Sequence, residues 1–126
     1  MRAVDTNVLV RLLTGDDTRQ LAKAETFVAV GAWVSTVVLC ETVWVLESVY
    51  ERSRHELLRA LEMLLSHATL VLDERTCVED ALREAAANPK TDFSDALIVA
   101  LARKSGRTPL GTFDRHLAKL EGTQRL

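Results

Sequence analysis

The sequence predicts an α/β fold: a three-layer αβα sandwich with a parallel sheet of four to five strands, in the order 3-2-1-4-5. Short apolar runs alternate along the chain with longer segments of helical periodicity, which is typical of parallel strands joined by helices. Right-handed crossovers then place helices on both faces of the sheet. A chain of 126 residues can bury a real core. We therefore expect a single domain over residues 1–126.

The composition is that of an ordinary globular protein with an aliphatic core. Apolar residues make up 48% of the chain and charged residues 27%, whereas only 5% are aromatic. The net charge of −2 argues weakly against a simple nucleic-acid binder, which would carry a basic excess. Four acidic residues gathered around a metal would leave a small basic excess elsewhere. Charge therefore permits a nucleic-acid substrate without indicating one.

The sequence predicts a cytoplasmic protein without a membrane segment. No run of about 20 apolar residues is present. Asp5 interrupts the apolar region that a signal peptide would need. Cys40 and Cys77 lie in apolar helical patterns, where they are expected to be small buried residues of a reduced protein rather than a disulfide or a zinc site.

The first strand is expected at Ala3 and Val4, and Asp5 ends it. A helical run follows at residues 8–13. In an open α/β sheet, a carboxylate in this position lies where ligands bind. The alternative is that Asp5 or Thr6 only caps the helix, since both residue types are preferred as N-caps.

The next helix and strand are marked by local signals. Asp17 and Gln20 resemble a capping box, and apolar residues follow at helical spacing over residues 21–28. Gly31 is expected to end this helix. Residues 32–35 then form the predicted second strand.

A helix of unusually apolar composition is predicted over residues 37–50. A helix with so little polar surface is expected to be buried in the domain or at a subunit contact. Glu41 lies within it, where an uncompensated charge would be costly. The alternative is that Glu41 lies on a narrow exposed stripe with Glu47 and Ser48.

Ser53 and Glu56 form a clear capping box for an amphipathic helix, with leucines on one face over residues 57–65. The third strand is predicted at residues 69–72. Asp73 is then expected to cap a helix that ends before an Asn-Pro pair.

The following helix begins with two acids. Asp92 is a good N-cap, and Asp95 falls at the third helical position, where the helix dipole also favours a carboxylate. One cap suffices, however, and the helix beyond is apolar, so capping explains Asp95 less well. The pair Ser105 and Gly106 closes this helix.

The last part of the chain predicts two more strands. Residues 109–114 form the fourth strand, which ends in Asp114. A short helix is expected at residues 116–120, and residues 123–126 are predicted as a fifth strand.

In the order 3-2-1-4-5, the first and fourth strands are neighbours, so the acids at their carboxyl ends would share one crevice. Two further acids, on flanking helices, could reach it. Two unit charges about 4 Å apart repel by about 4 kcal/mol at an effective dielectric near 20, so either the pKa values rise or a cation is present. Oxygen ligands favour Mg²⁺ or Mn²⁺, which can activate water and stabilise a phosphodiester transition state. The four candidate ligands are Asp5, Glu41, Asp95 and Asp114.

Four motifs together resemble the PIN domain family, and most closely its VapC-type toxins. They are residues 4–9 (VDTNVL), Glu41 in its apolar helix, residues 92–97 (DFSDAL) and residues 112–114 (TFD). The resemblance covers essentially the whole chain. It implies an endoribonuclease dependent on Mg²⁺ or Mn²⁺, with RNA as substrate.

The resemblance also assigns roles to residues and partners. Asp5, Glu41, Asp95 and Asp114 take the positions of the family's catalytic, metal-binding acids. Thr6, Asn7 and Thr112 match polar positions that support these acids, and Asp92 matches an acid with a capping or supporting role. The implied partners are a second copy of the chain, in a homodimer, and a VapB-like antitoxin that blocks the site. The apolar helix at residues 37–50 fits such a contact, although core burial explains it equally well.

Two other functions remain open on the residues alone. A phosphatase-like hydrolase could use Asp5 as nucleophile, but residue 7 is Asn rather than a second acid, and no lysine is well placed to balance a phosphoaspartate. A non-enzymatic signalling or interaction module of receiver type could instead bind Mg²⁺ in an acidic pocket to switch a surface.

Overall fold

The computed structural model describes residues 1–126, and the chain divides into two compact units, residues 1–73 and 74–126. The first contains β1 (Arg2–Ala3), α1 (Thr6–Thr14), α2 (Thr18–Val28), β2 (Ala32–Val34), α3 (Thr36–Ser48), α4 (Arg54–Ser66) and β3 (Leu70–Leu72). The second contains α5 (Arg75–Ala87), α6 (Phe93–Lys104), β4 (Leu110–Thr112), a 3₁₀ helix (Leu117–Lys119) and β5 (Thr123–Arg125).

The strands are all parallel, and they form one sheet in each unit. In the first unit β2 lies between β1 and β3, with Trp33 opposite both Ala3 and Val71. In the second unit β4 pairs with β5, with Leu110 opposite Thr123. The α/β class is therefore confirmed, and the predicted order is found in two parts, 3-2-1 and 4-5. The pairing of the first and fourth strands stays a prediction, as does the single domain.

The core of the first unit is aliphatic, as the composition predicts. Helix α1 packs against α2 and α3, and α3 packs against α4. Side chains of these helices and of β2 are almost fully excluded from solvent, and they include Leu9, Val10, Val34, Leu39 and Leu61.

The core of the second unit lies between α5 and α6, which pack along their length. Val78 and Leu97 are buried there. A smaller cluster joins Val99 of α6 to Leu117 and Leu120, with Leu110 of β4 packed against it. This cluster fixes the segment between β4 and β5 to the helix that begins at the acidic motif.

The cap predictions have mixed outcomes. Asp17 accepts a hydrogen bond from the Gln20 amide at 3.0 Å, and the Ser53–Glu56 capping box has both of its reciprocal bonds. The cap predicted at Asp73 is wrong, because its amide donates to the Val34 carbonyl at 2.9 Å and so extends the pairing of β3 with β2. Glu74 takes the N-cap position instead, without a capping side-chain bond.

Helix α3 is apolar, but one of its faces is open to solvent. Val37 is 72% exposed and Trp44 is 65% exposed, and Glu41 lies between them on the same stripe. The expectation of burial within the domain is therefore wrong for this face. The alternative, in which Glu41 lies on an exposed stripe with Glu47 and Ser48, is correct.

Two further findings concern the short helix near residue 117 and the hydropathy of the helices. The short helix predicted at residues 116–120 is a 3₁₀ helix over Leu117–Lys119. None of the helices combines the length and hydropathy needed to cross a bilayer.

Candidate acidic site

Asp5 lies directly after the carboxyl end of β1, as predicted, and it is the N-cap of α1. Its backbone is extended, and its Oδ1 accepts a hydrogen bond from the Val8 amide at 3.2 Å. The alternative in which Asp5 caps the helix is therefore correct. Its second carboxylate oxygen, Oδ2, does not take part in the capping hydrogen bond. The carboxylate is exposed, so capping and ligand binding are compatible at this residue.

Glu41 is placed by the strand that neighbours β1. Helix α3 follows β2, and Ser35 caps it by accepting from the Val38 amide at 3.1 Å. Because β1 and β2 are parallel, the helices that follow them begin at the same edge of the sheet. Glu41 is the sixth residue of α3, about 8 Å along the helix axis from its start. Asp5 and Glu41 thus belong to the same end of the first unit.

Two of the predicted supporting residues open α1. Thr6 is buried, with 8% of its surface exposed. Asn7 is exposed and lines a shallow groove between α1 and α2, together with Phe27. The structure gives neither residue a hydrogen bond to Asp5.

Asp92 occupies the N-cap position of α6, but its side chain makes no capping hydrogen bond. The prediction that it caps the helix is correct for its backbone position and wrong for its carboxylate. Because the carboxylate is exposed and not engaged by α6, it remains available as a negative charge beside the helix.

Asp95 has the most perturbed environment of the predicted site residues. It lies in the first turn of α6, half-buried, and its carboxylate forms neither an ion pair nor a hydrogen bond. Burial, and then the negative charges of Asp92 and Asp114, raise the pKa of Asp95 above its ordinary value. The second unit therefore brings Asp95 and Asp114 into electrostatic contact, and it adds Asp92 to them.

Asp114 is held in a tight turn after β4. Its Oδ1 accepts from the amides of His116 and Leu117, at 2.7 and 3.0 Å, and these bonds lower the pKa of Asp114. Its own amide donates to Oγ1 of Thr112 at 3.0 Å. Thr112, predicted as a supporting residue, is thus positioned to orient Asp114, and the buried Leu117 side chain anchors the same turn.

Comparison with known families assigns the chain. The PIN domain matches residues 2–122, a stretch that runs through both units. The chain belongs to the PIN domain family. Among solved structures it is similar to the VapC20 toxin of Mycobacterium tuberculosis, described as cleaving the sarcin–ricin loop. The identity is 20% over 98% of this chain and 97% of that one, with a TM-score of 0.44. No curated protein matches this PIN domain.

The donor chemistry of this PIN domain fits a hard divalent cation. The predicted ligands are all carboxylates, and the Asp95 carboxylate is partnerless and faces other negative charges. Oxygen-rich sets of this kind suit Mg²⁺ or Mn²⁺. Within either unit alone, no group of three or more His, Cys, Asp or Glu side chains is arranged as a metal cage. Metal binding by these residues therefore stays a prediction.

Sequence reasoning missed one residue beside the acids. Phe113 lies between Thr112 and Asp114, and 81% of its surface is exposed. The prediction treated it as part of the fourth strand, which in the structure ends at Thr112. An aromatic residue between two polar residues at a strand end was the available signal.

Proposed function

We propose that this PIN domain is a metal-dependent endoribonuclease that hydrolyses RNA phosphodiester bonds and is the toxin of a VapC-type toxin–antitoxin pair. Two findings support the proposal: membership of the family over residues 2–122, and the environment of Asp95. The second carries most weight. A half-buried carboxylate without a partner, repelled by two others, is costly to a fold unless a cation offsets it.

The proposed ligands of Mg²⁺ or Mn²⁺ are Asp5, Glu41, Asp95 and Asp114. When bound, the ion would activate water for attack on phosphorus and stabilise the charge that develops on the phosphate. The supporting residues are Thr6, Asn7, Asp92 and Thr112. Of these, Thr112 has the clearest role, because its hydroxyl accepts from the Asp114 amide.

The chain's own contribution is to hold the acids in place and, at Asp114, to favour the ionised form. Two backbone amides bind one oxygen of Asp114, which keeps this carboxylate charged and fixes its orientation. Asp95 is fixed differently, by its position in the first turn of a buried helix. Preorganised negative charge of this kind needs little rearrangement when a cation binds.

The proposed partners are RNA, a VapB-like antitoxin that blocks the acidic site, and a second copy of the chain. The exposed face of α3 supports a protein contact, because Val37 and Trp44 present large apolar side chains to solvent there. Apolar surface of this kind is typical of homodimer interfaces.

The test is RNA cleavage by Asp5→Asn and Asp95→Asn, measured separately with Mg²⁺ and with Mn²⁺. Both variants should lose activity at least 100-fold while remaining folded. The matched control is Asp80→Asn, which removes an exposed acid of α5 that pairs with Arg83 instead. Undiminished cleavage by either site variant would overturn its assignment.

A second readout is independent of activity. Divalent ions should raise the melting temperature of the wild-type protein more than that of Asp95→Asn, because ligands that bind the native state stabilise it. Stabilisation by Mg²⁺ without any RNA cleavage would instead support the receiver-type module. A trapped acyl phosphate on Asp5 would support the phosphatase-like hydrolase.

A further inference from the structure

Phe113 is an exposed aromatic side chain in a rigid setting. The segment around it is fixed by three hydrogen bonds: from the Asp114 amide to Thr112, and from the amides of His116 and Leu117 to Asp114. The buried Leu117 side chain anchors the far end of the segment. The backbone on both sides of Phe113 is therefore held, and the ring projects from it with 81% of its surface exposed.

Exposure of a phenylalanine ring to water is unfavourable, because its apolar surface stays unburied. Apolar residues scattered singly on a surface are ordinary, but this one immediately precedes Asp114. It is followed two positions later by Arg115, an exposed cation whose charge helps to lower the pKa of Asp114. An aromatic face, an acid and a cation thus occupy three successive residues.

We propose that Phe113 is a stacking platform for a nucleobase of single-stranded RNA next to the phosphodiester bond that is cleaved. The inference rests on the proposed function and extends it to a residue that binds substrate. A base can stack on the exposed ring because every base presents a π-face. Arg115 can meet a neighbouring phosphate. Polar residues lie on both sides of the ring, whereas the core of a protein–protein interface is depleted of charged residues. This surrounding favours RNA over a second protein as the binding partner.

The role predicts a specific kinetic effect. Stacking on an exposed ring contributes to binding and does not contact the reacting phosphorus. Loss of the ring should therefore raise KM for RNA far more than it lowers kcat. Because stacking tolerates any base, the effect should be similar for oligonucleotides of different sequence.

The experiment measures RNA binding in the Asp95→Asn background, so that cleavage does not interfere. A fluorescent single-stranded RNA oligonucleotide is titrated with this protein, and anisotropy gives Kd. Adding Phe113→Ala should weaken binding about 5- to 150-fold, the usual effect of losing one stacked base. Phe113→Trp should preserve binding. Phe113→Leu, which keeps an apolar side chain of similar size without a π-face, should behave like Phe113→Ala.

A matched control is Met63→Ala, which removes another exposed apolar side chain, 58% exposed on α4. This variant should bind RNA normally. Equal melting temperatures for all variants would exclude unfolding as the cause of lost binding.

The outcomes separate this inference from the proposed function. If the wild type cleaves RNA but Phe113→Ala binds it unchanged, the inference is overturned and the nuclease stands. If Phe113→Leu binds as well as the parent, the ring is not stacking and the inference also fails. If Phe113→Ala leaves RNA binding intact but changes the sedimentation coefficient, the residue belongs to a protein contact. Absence of RNA binding by the parent, with no cleavage by the wild type, would overturn both.

Discussion

Asp95 is the residue whose charge costs the native state most clearly among the predicted ligands. Its pKa is raised by burial, by Asp92 and by Asp114, so the folded protein binds a proton at this site more tightly than the unfolded chain does. Stability therefore falls as pH rises from the ordinary aspartate pKa through the raised value, and the full penalty is present above that window.

We expect Asp95→Asn to be more stable than the wild type at neutral pH, because the amide has no charge to desolvate or repel. The difference should shrink on acidification and vanish below the ordinary aspartate pKa, where both side chains are neutral. Thermal unfolding in metal-free buffer, measured across this range, checks the prediction. An asparagine variant that is less stable at neutral pH would contradict it.

Asp114 affects the pH dependence of stability in the direction opposite to Asp95. Amides of Leu117 and His116 lower its pKa, so the stability it contributes is present above the ordinary aspartate pKa and is lost as pH falls through the lowered value. Asp114→Asn should therefore destabilise the protein at neutral pH. The two predicted acids of the second unit thus affect the pH dependence of unfolding in opposite directions.

At the scale of elements, a polar network fastens the end of α1 to the chain that follows α3. The Tyr50 hydroxyl accepts from Nη1 of Arg11 at 3.0 Å and donates to Oδ2 of Asp16 at 2.8 Å. The hydroxyl is the largest cause of the raised pKa of Arg11 and of the lowered pKa of Asp16. Gln20 joins by accepting from Nε of Arg11 at 2.6 Å.

Tyr50→Phe should lower the free energy of unfolding by about 1 kcal/mol, the usual net contribution of a hydrogen bond. Chemical denaturation measures the change. Ser48→Ala is the matched control, since its hydroxyl bonds only to the Trp44 carbonyl of its own helix. Equal effects of the two substitutions on the free energy of unfolding would show that the network does not contribute to stability.

The cluster beneath the Asp114 turn leads to a second prediction at this scale. Leu117→Ala should destabilise the protein by about 2 kcal/mol, at the low end for a buried leucine because the cluster is small. It should also lower kcat for RNA, because loss of the buried Leu117 side chain loosens the turn whose amides orient Asp114.

Leu61→Ala distinguishes positioning from general stability. Leu61 is buried in the core of the first unit, so its loss should cost similar stability. Well below the melting temperature this variant should keep its activity. If both variants lose activity equally, the positioning role of the cluster is refuted.

Elements were predictable where the signal is local. Asp17 and Ser53 act within one helical turn, so their caps could be read from sequence spacing. The cap predicted at Asp73 is wrong because the Asp73 amide donates to the carbonyl of Val34, a residue distant in sequence, where β3 pairs with β2. The exposed stripe of α3 was only one of two alternatives at the level of sequence, since composition alone does not distinguish a buried apolar face from one left in solvent.

At the scale of the whole molecule, the predicted α/β class and the two sets of neighbouring strands are found in the structure. The charges of Asp92 and Asp114 raise the pKa of Asp95 in the second unit, whereas a site shared by the four predicted acids stays a prediction. Whether Asp95 and Asp114 bind a metal ion together with Asp5 and Glu41 depends on the tertiary arrangement of these residues and on the ligand. A short sequence motif does not encode either. Phe113 was overlooked because it was assigned to the fourth strand, whereas in the structure that strand ends at Thr112 and the ring is exposed.

The proposed homodimer leads to a prediction about assembly. Trp44→Glu should abolish self-association if the exposed face of α3 is the contact, because it places a charge in an apolar interface. Sedimentation velocity measures the change, and an unaltered melting curve at high dilution shows that the protomer still folds. Val30→Glu, another exposed apolar position, is the control. A dimer that survives Trp44→Glu would exclude this face.

The division of the chain has a spectroscopic consequence. Both tryptophans, Trp33 and Trp44, belong to residues 1–73, so intrinsic tryptophan emission reports on the first unit. Far-ultraviolet circular dichroism, by contrast, records helices from both halves. If the chain is one cooperative domain, the two signals should change together during denaturation. Ellipticity lost before the emission changes would show that the half carrying Asp95 and Asp114 melts by itself.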